Sequence, residues 1–184
     1  MFLIAFIITY SIYKFKNIDF GYHLFNMKNS FKCLLFIIII YLFFSLINAI
    51  FGIRIAINVD LFWLIIFQLY FSGLGEEIIF RSIPIHVFDK YVKGKNINFS
   101  IMNFSIDLSM ILSSLLFPIF HIAVYLNQPL YAIIYSLLYV FFGGLILSWI
   151  YRETNSIWLC MIAHGLSNVI VFIFPIISGL IYGI

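Results

Sequence analysis

Residues 33–53 read CLLFIIIIYLFFSLINAIFGI, 21 consecutive positions without a charge. A helix needs about 20 predominantly apolar residues to cross the hydrocarbon core of a bilayer. This stretch meets that requirement, and two others match it. Leu108–Leu126 and Leu130–Tyr151 are also free of Asp, Glu, Lys and Arg. Leu61 to about Phe88 is long enough, but Glu76, Glu77 and Arg81 interrupt it. The last run, Ser156–Ile184, is too long for one straight span, and Pro175 is expected to kink or split it. Met1–Tyr13 is short, a span only if the fit is thin or tilted. The sequence therefore predicts an all-α fold, a polytopic transmembrane helix bundle of about six spans. The whole chain, 1–184, reads as one domain whose chemistry lies within about 61–174.

Composition agrees. Of 184 residues, 65% are hydrophobic and 9% are charged, with a mean hydropathy of +1.15. A soluble domain carries roughly 25% charged residues, and this chain has too few polar side chains to cover a globule. The lipid bilayer is its solvent and first partner. The net charge of +3 does not signal nucleic acid, because the basic residues are scattered through short loops rather than gathered in a stripe. Cys33 and Cys160 form no CxxC and no Cys/His cluster, so both read as reduced, apolar packing residues. The N-terminal MFLIAFIITYSIY lacks a basic region before its apolar run and a small-residue cleavage site after it. That argues against a removed signal peptide.

Loop charge orients the spans. Lys14, Lys16, Lys28, Lys32, Lys90, Lys93, Lys95 and Arg152 fall in three loops that alternate with two others, which carry Arg54 alone. The positive-inside rule places the Lys-rich loops in the cytoplasm and, with six spans, both termini outside. Trp63, Trp149 and Trp158 lie toward span ends, as aromatic belts do. A Gly179-x-x-x-Gly183 spacing fits helix packing.

A charge inside a span costs about 2.5–3.5 kcal/mol on insertion scales and so requires a reason. Glu77 and Arg81 are four apart with the acid N-terminal, the favourable order for a helical ion pair. Glu76, displaced by about 100°, has Phe80 at its own i+4 position. A carboxylate so placed suits a general base; the structural alternative is a salt bridge with a second carboxylate near the interface. Phe117-Pro118-Ile119-Phe120-His121 is a second constellation. His121 is deep in its span, Phe117 shares its face, and Pro118 frees a backbone carbonyl. Taken singly, His121 reads equally well as a packed histidine. In His164-Gly165-Leu166-Ser167-Asn168, His164 and Asn168 share a face, and Gly165 permits close approach of another helix. The pair is either interhelical polar glue or two donors for a developing oxyanion. Three helices thus bring polar groups to one membrane zone that is otherwise almost wholly apolar, as an active site requires. His23, in a loop, and His86, just past Pro84, read as solvated or interfacial.

These residues resemble the CPBP (CAAX protease and bacteriocin-processing) intramembrane proteases, whose motifs are EExxxR, FxxxH and HxxxN/D in that order. Here they read Glu76-Glu77-x-x-x-Arg81, Phe117-x-x-x-His121 and His164-x-x-x-Asn168. The resemblance runs from about Leu61 to Phe174 and includes the flank FGGLILSWIYRETNSIW. It departs at Ser82, where the family usually has glycine, and in a shorter N-terminal part. It implies that Glu76 and His121 activate a water, that Glu77 and Arg81 hold the first motif, and that His164 and Asn168 stabilise the oxyanion. It leaves the cofactor open between zinc, which Glu76, His121 and His164 would ligate, and no metal at all. It implies a multi-pass protein of the bacterial cell membrane acting on a peptide or small membrane protein: a prenylated C-terminus, a bacteriocin leader or another membrane peptide.

Other intramembrane chemistries fit less well. No GxSG elbow accompanies a histidine, and Asp19, Asp60, Asp89 and Asp107 all lie in or beside loops. Two other functions stand beside the peptidase: a non-catalytic bacteriocin-immunity or scaffold protein, and an ion-coupled transporter. The transporter lacks the inverted repeat and paired broken helices of that class.

Overall fold

The computed structural model describes residues 2–16, 18–23, 27–50, 60–92, 99–101 and 104–182. Among these, the helices are α1 (Phe2–Lys16), α2 (Met27–Ile50), α3 (61–92), α4 (Leu108–Tyr125), α5 (Leu130–Thr154) and α6 (Ile157–Tyr182). Ser30–Ile47 of α2, all of α4 and all of α5 are long and apolar enough to cross a membrane. The protein is an all-α membrane helical bundle. Two of the other helices, α1 and α3, depart from a simple span. At 1.5 Å per residue, the 15 residues of α1 reach only about 22 Å. In α3 the charges of Glu76, Glu77 and Arg81 interrupt the apolar run. Pro175 does not split the last helix, which runs continuously to Tyr182. Within an apolar bundle the backbone groups that a proline frees can find partners on neighbouring helices. Arg54, Lys93, Lys95 and Gly183 lie outside the described residues.

Helix α3 is not uniform. It is α-helical at Leu61–Ile66, Gly73–Glu77 and Ile83–Val92, and π-helical at Phe67–Ser72 and Ile78–Ser82. Pro84 helps to explain the second π turn. Having no N–H, it leaves the Phe80 carbonyl without its i+4 donor. That carbonyl instead accepts from Arg81 Nη1 at 2.9 Å and from the Ser113 hydroxyl of α4. The wide turn closes through the N–H of Ile83 on the carbonyl of Ile78. A proline three residues past the motif thus couples α3 to α4 and anchors Arg81.

The core is formed by α2, α3, α5 and α6: Ile37 and Tyr41 meet Ile78 and Ile85, Leu147 and Ile150, and Leu159 and Ala163. Helix α6 packs against α2, α3 and α5, while α3 also touches α1 and α4. Lipid tails are as apolar as these side chains, so van der Waals fit rather than water exclusion holds such helices together. The α3–α6 crossing is backbone to backbone. A Cβ on Gly73 would lie 2.7 Å from the Met161 carbonyl oxygen, and one on Gly165 would lie 2.9 Å from Leu69 Cα. Cys33 and Cys160 are free and buried in this core.

One end of the bundle is closed by polar contacts that the sequence did not announce. Asp19 accepts from the Gly21 N–H and from Asn155 Nδ2, both at 2.8 Å. Exposed His23 lies 3.0 Å from the same carboxylate. Burial pushes the Asp19 carboxyl up, but these bonds outweigh it and leave it below its ordinary value. Arg152 of α5 binds Asp89 of α3 at 2.7 Å and Asp107, ahead of α4, at 2.8 Å. Asp107 also caps α4, accepting the Met110 N–H at 2.8 Å. The His86 ring packs tilted against Phe20, whose carbonyl accepts the Ser82 hydroxyl at 2.7 Å.

Between α3 and α4, where a loop is expected, a small antiparallel ribbon pairs Phe99–Ile101 with Phe104–Ile106. Its repeated Phe-Ser-Ile triplet has the period-2 alternation of a strand.

Candidate active site

The three motifs reach one region because α3, α4 and α6 carry them there. Glu77 is fully buried at the end of the central α-helical stretch of α3. Its Oε1 accepts from Nδ1 of His164 on α6 at 2.8 Å. Its Oε2 lies 3.6 Å from Nε of the equally buried Arg81, so the i,i+4 ion pair forms, though longer than a hydrogen bond. Glu77 therefore does more than hold the first motif, because it also fixes the histidine of the third.

That contact decides which nitrogen of His164 works. An ionised carboxylate only accepts, so Nδ1 carries the proton that it shares with Glu77. The other nitrogen, Nε2, lies 3.8 Å from Oε2 of Glu76. Glu76 has a side-chain exposure of 19%, against 0% for Glu77. The adjacent carboxylates thus differ in place: one is sealed against Arg81 and His164, the other opens toward the free side of the imidazole.

Phe117 joins the second motif to the other two. Its ring makes an edge contact with His121 at 4.6 Å and with His164 at 5.6 Å between centroids. The Arg81 guanidinium carbon sits 4.8 Å above its face. A cation over an aromatic face is favourable, more so away from water. Gly144 of α5 provides the room, since a Cβ there would approach Arg81 Nη2 to 3.1 Å. His121 is half-buried, and its Nδ1 is 2.8 Å from the Phe117 carbonyl. A carbonyl only accepts, so Nδ1 again carries a proton.

Asn168 shares the α6 face with His164, but its amide Nδ2 donates to Oε1 of Gln68 at 2.8 Å. Gln68 lies in the first π turn of α3. Sequence reasoning passed over it, although an amide in the apolar run LFWLIIFQLYF is itself a costly group and so a signal.

Among the described residues, no three His, Cys, Asp or Glu side chains gather as ligands of one metal ion. Glu76 and His164 face each other, but His121 does not complete a three-donor set with them. The arrangement does not fit the zinc reading.

A histidine held at one nitrogen by a buried carboxylate and facing a second, partly exposed carboxylate at the other, with another histidine nearby in an apolar wall, is an arrangement able to move protons. A family model, type II CAAX prenyl endopeptidase Rce1-like, matches residues 57–170. The chain belongs to this family. The match covers well over half of the chain and contains all three motifs. Comparison with curated proteins gives no match, and neither does comparison with solved structures. Membership makes this Rce1-like protein one of a family of CAAX-type membrane proteases.

Proposed function

We propose that the protein is an intramembrane endopeptidase that hydrolyses a peptide bond of a membrane-held peptide, with prenylated CAAX-type chains as the first substrate class to consider. The observation that carries this reading is the approach of Glu76 on α3 to His164 Nε2 on α6, at 3.8 Å, under the control of Glu77. In the reaction, Glu76 takes a proton from water with His121 Nε2 as the second acceptor. The hydroxide adds to the peptide carbonyl carbon. The oxyanion that forms is met by the Asn168 amide, with His164 Nε2 as a second donor in the imidazolium form, in which both ring nitrogens carry a proton. Glu76 then gives its proton to the departing nitrogen as the C–N bond breaks, leaving a carboxylic acid and an amine. Positioned proton transfer of this kind contributes about 10²–10⁴-fold, and an oxyanion donor about 10²–10³-fold. Arg81 and Glu77 take no part in bond making and hold His164 in place. The multi-pass placement in a bacterial cell membrane belongs to the same proposal.

The test uses purified protein in detergent with a mixture of membrane peptides, farnesylated CAAX peptides among them, and mass spectrometry of the products. Wild type should give defined products, while Glu76→Gln and His121→Ala, folded by their helical signal, should not. Products formed equally by all three proteins, or by none, would overturn the reading.

A further inference from the structure

We propose that the segment 18–23, ahead of α2, is a positioning strap for His164: it binds α3 through Ser82 and α6 through Ile157, and so fixes the separation across which Glu77 holds the histidine. The inference deepens the peptidase reading and rests on it. Two neighbouring carbonyls of the strap serve the two motif helices. The Phe20 carbonyl accepts the Ser82 hydroxyl of α3 at 2.7 Å. The Gly21 carbonyl accepts the Ile157 N–H of α6 at 2.7 Å. Each attachment has a companion. The Phe20 ring packs on His86 of α3, and the His23 carbonyl accepts the hydroxyl of Ser156, just ahead of α6, at 2.8 Å. Phe20, Ser82, Ser156 and Ile157 are all buried.

The strap and the glycine crossing bracket the site. On α3, Glu77 lies between Gly73 and Ser82; on α6, His164 lies between Ile157 and Gly165. On one side of the pair the helices touch backbone to backbone, at Gly73 with Met161 and at Leu69 with Gly165. Lipid supplies no hydrophobic force to press such helices together, and one crossing resists pivoting less than two fixed points do. The strap is the second point. Ser82 follows Arg81 and ends the second π turn, while Ile157 lies about two turns before His164. A pivot of either helix is therefore felt at the 2.8 Å bond between Glu77 and His164. Space at Gly21 is part of the device. A Cβ there would lie 2.5 Å from the Tyr151 ring and 3.2 Å from the Ile157 nitrogen, which would push the strap off α6. Ser82 also meets the Tyr151 hydroxyl, a tie from α3 to α5 rather than to α6.

The experiment measures kcat and KM on a farnesylated CAAX peptide, the unfolding temperature, and the ring N–H proton signals of protein carrying isotope-labelled histidine, all in detergent. Wild type is compared with Glu76→Gln, Ser82→Ala, Gly21→Ala, the double variant Ser82→Ala/Gly21→Ala and Tyr151→Phe. The His164 Nδ1–H, held by a carboxylate, gives a downfield signal that exchanges slowly with water and is assigned by its loss in His164→Gln. A displacement of about 1 Å at a reacting centre costs on the order of 10²-fold in rate. Ser82→Ala, which frees one end of the strap, should lower kcat by roughly 10-fold with KM little changed, and should move the His164 signal upfield. Gly21→Ala should do the same, and the double variant should lose far less than the product of the two, because a strap cut at one end no longer acts at the other. Tyr151→Phe removes the hydroxyl that meets Ser82 but keeps the ring on Gly21, so kcat and signal should stay as in wild type. A wild-type signal or a wild-type kcat in Ser82→Ala would overturn the inference, leaving the strap a structural tie only. Equal losses in Tyr151→Phe, or losses that multiply in the double variant, would overturn it as well. If Gly21→Ala does not fold, Ser82→Ala and Tyr151→Phe decide alone. A dead Glu76→Gln beside a fully active Ser82→Ala sinks this inference alone. Equal products, or equally none, from wild type and Glu76→Gln sink the peptidase reading and this inference with it.

Discussion

Glu77 and His164 are joined across two helices by a 2.8 Å hydrogen bond, and the second oxygen of the same carboxylate faces Arg81 at 3.6 Å. Breaking a buried ion pair from one side leaves the other charge uncompensated, which costs about 3–5 kcal/mol. Glu77→Gln should therefore lower stability by about that amount, measured by denaturant unfolding in detergent. Glu77→Gln/Arg81→Met should recover much of that stability, because no lone charge remains, yet it should not recover activity. A Glu77→Gln protein as stable as wild type would show that the pair is not buried as described.

The glycine crossing of α3 and α6 sets the distances at the site. Gly165→Ala introduces a Cβ 2.9 Å from Leu69 Cα, so the helices must move apart. A displacement of about 1 Å at a reacting centre costs on the order of 10²-fold in rate. The variant should keep its helical circular dichroism and lose roughly that factor in kcat. Rates equal to wild type would mean that the crossing is looser than the geometry indicates.

At the closed end of the bundle, Arg152 holds Asp89 and Asp107. Burial raises the Asp89 carboxyl, but the hydrogen bonds from Arg152 and Ser109 and the charges of Arg152 and His86 outweigh it and leave it below its ordinary value of 3.8. A carboxylate lowered on folding contributes stability that is fully present above its unfolded value. That stability is lost as pH falls through the lower folded value. The unfolding temperature should thus be flat near neutrality and fall in the acid range below about 4. Arg152→Gln should remove part of that acid dependence. It should cost only about 1 kcal/mol at neutral pH, because the cluster is partly exposed and screened by solvent.

Gly21 has φ of +76°, and a Cβ there would meet the Tyr151 ring at 2.5 Å. Its carbonyl accepts the Ile157 N–H at 2.7 Å, which ties the 18–23 segment to the start of α6. Gly21→Ala should destabilise by more than about 1 kcal/mol, read as a lower unfolding temperature. An unchanged value would contradict the left-handed turn.

Much of this arrangement is visible in the sequence because bilayers make polar residues expensive. The cost of Glu76, Glu77, Arg81, His121, His164 and Asn168 in apolar runs marks them as a set, and Gly165 correctly signals close helix approach. What the spacing does not carry is the pairing between helices. A uniform 3.6-residue period places Glu77 with Arg81, but it says nothing of His164, which is 87 residues away. Nor does it foresee the π turns of α3, which depend on Pro84 and on acceptors supplied by other helices. Gln68 was legible by the same cost argument as the other polar residues. Arg152 gave no such signal, since a loop cation is ordinary until the fold sets two aspartates against it. The Phe99–Ile106 ribbon was hidden by its brevity, although its alternation is there to read.

The most direct test of the account is the kcat of Glu76→Gln on a farnesylated CAAX peptide, taken beside wild type at equal unfolding temperature. The substitution keeps the size of the side chain and removes its ability to take a proton from water. The account predicts cleavage by wild type and a loss of at least about 10²-fold in Glu76→Gln. Cleavage by Glu76→Gln at the wild-type rate would contradict it.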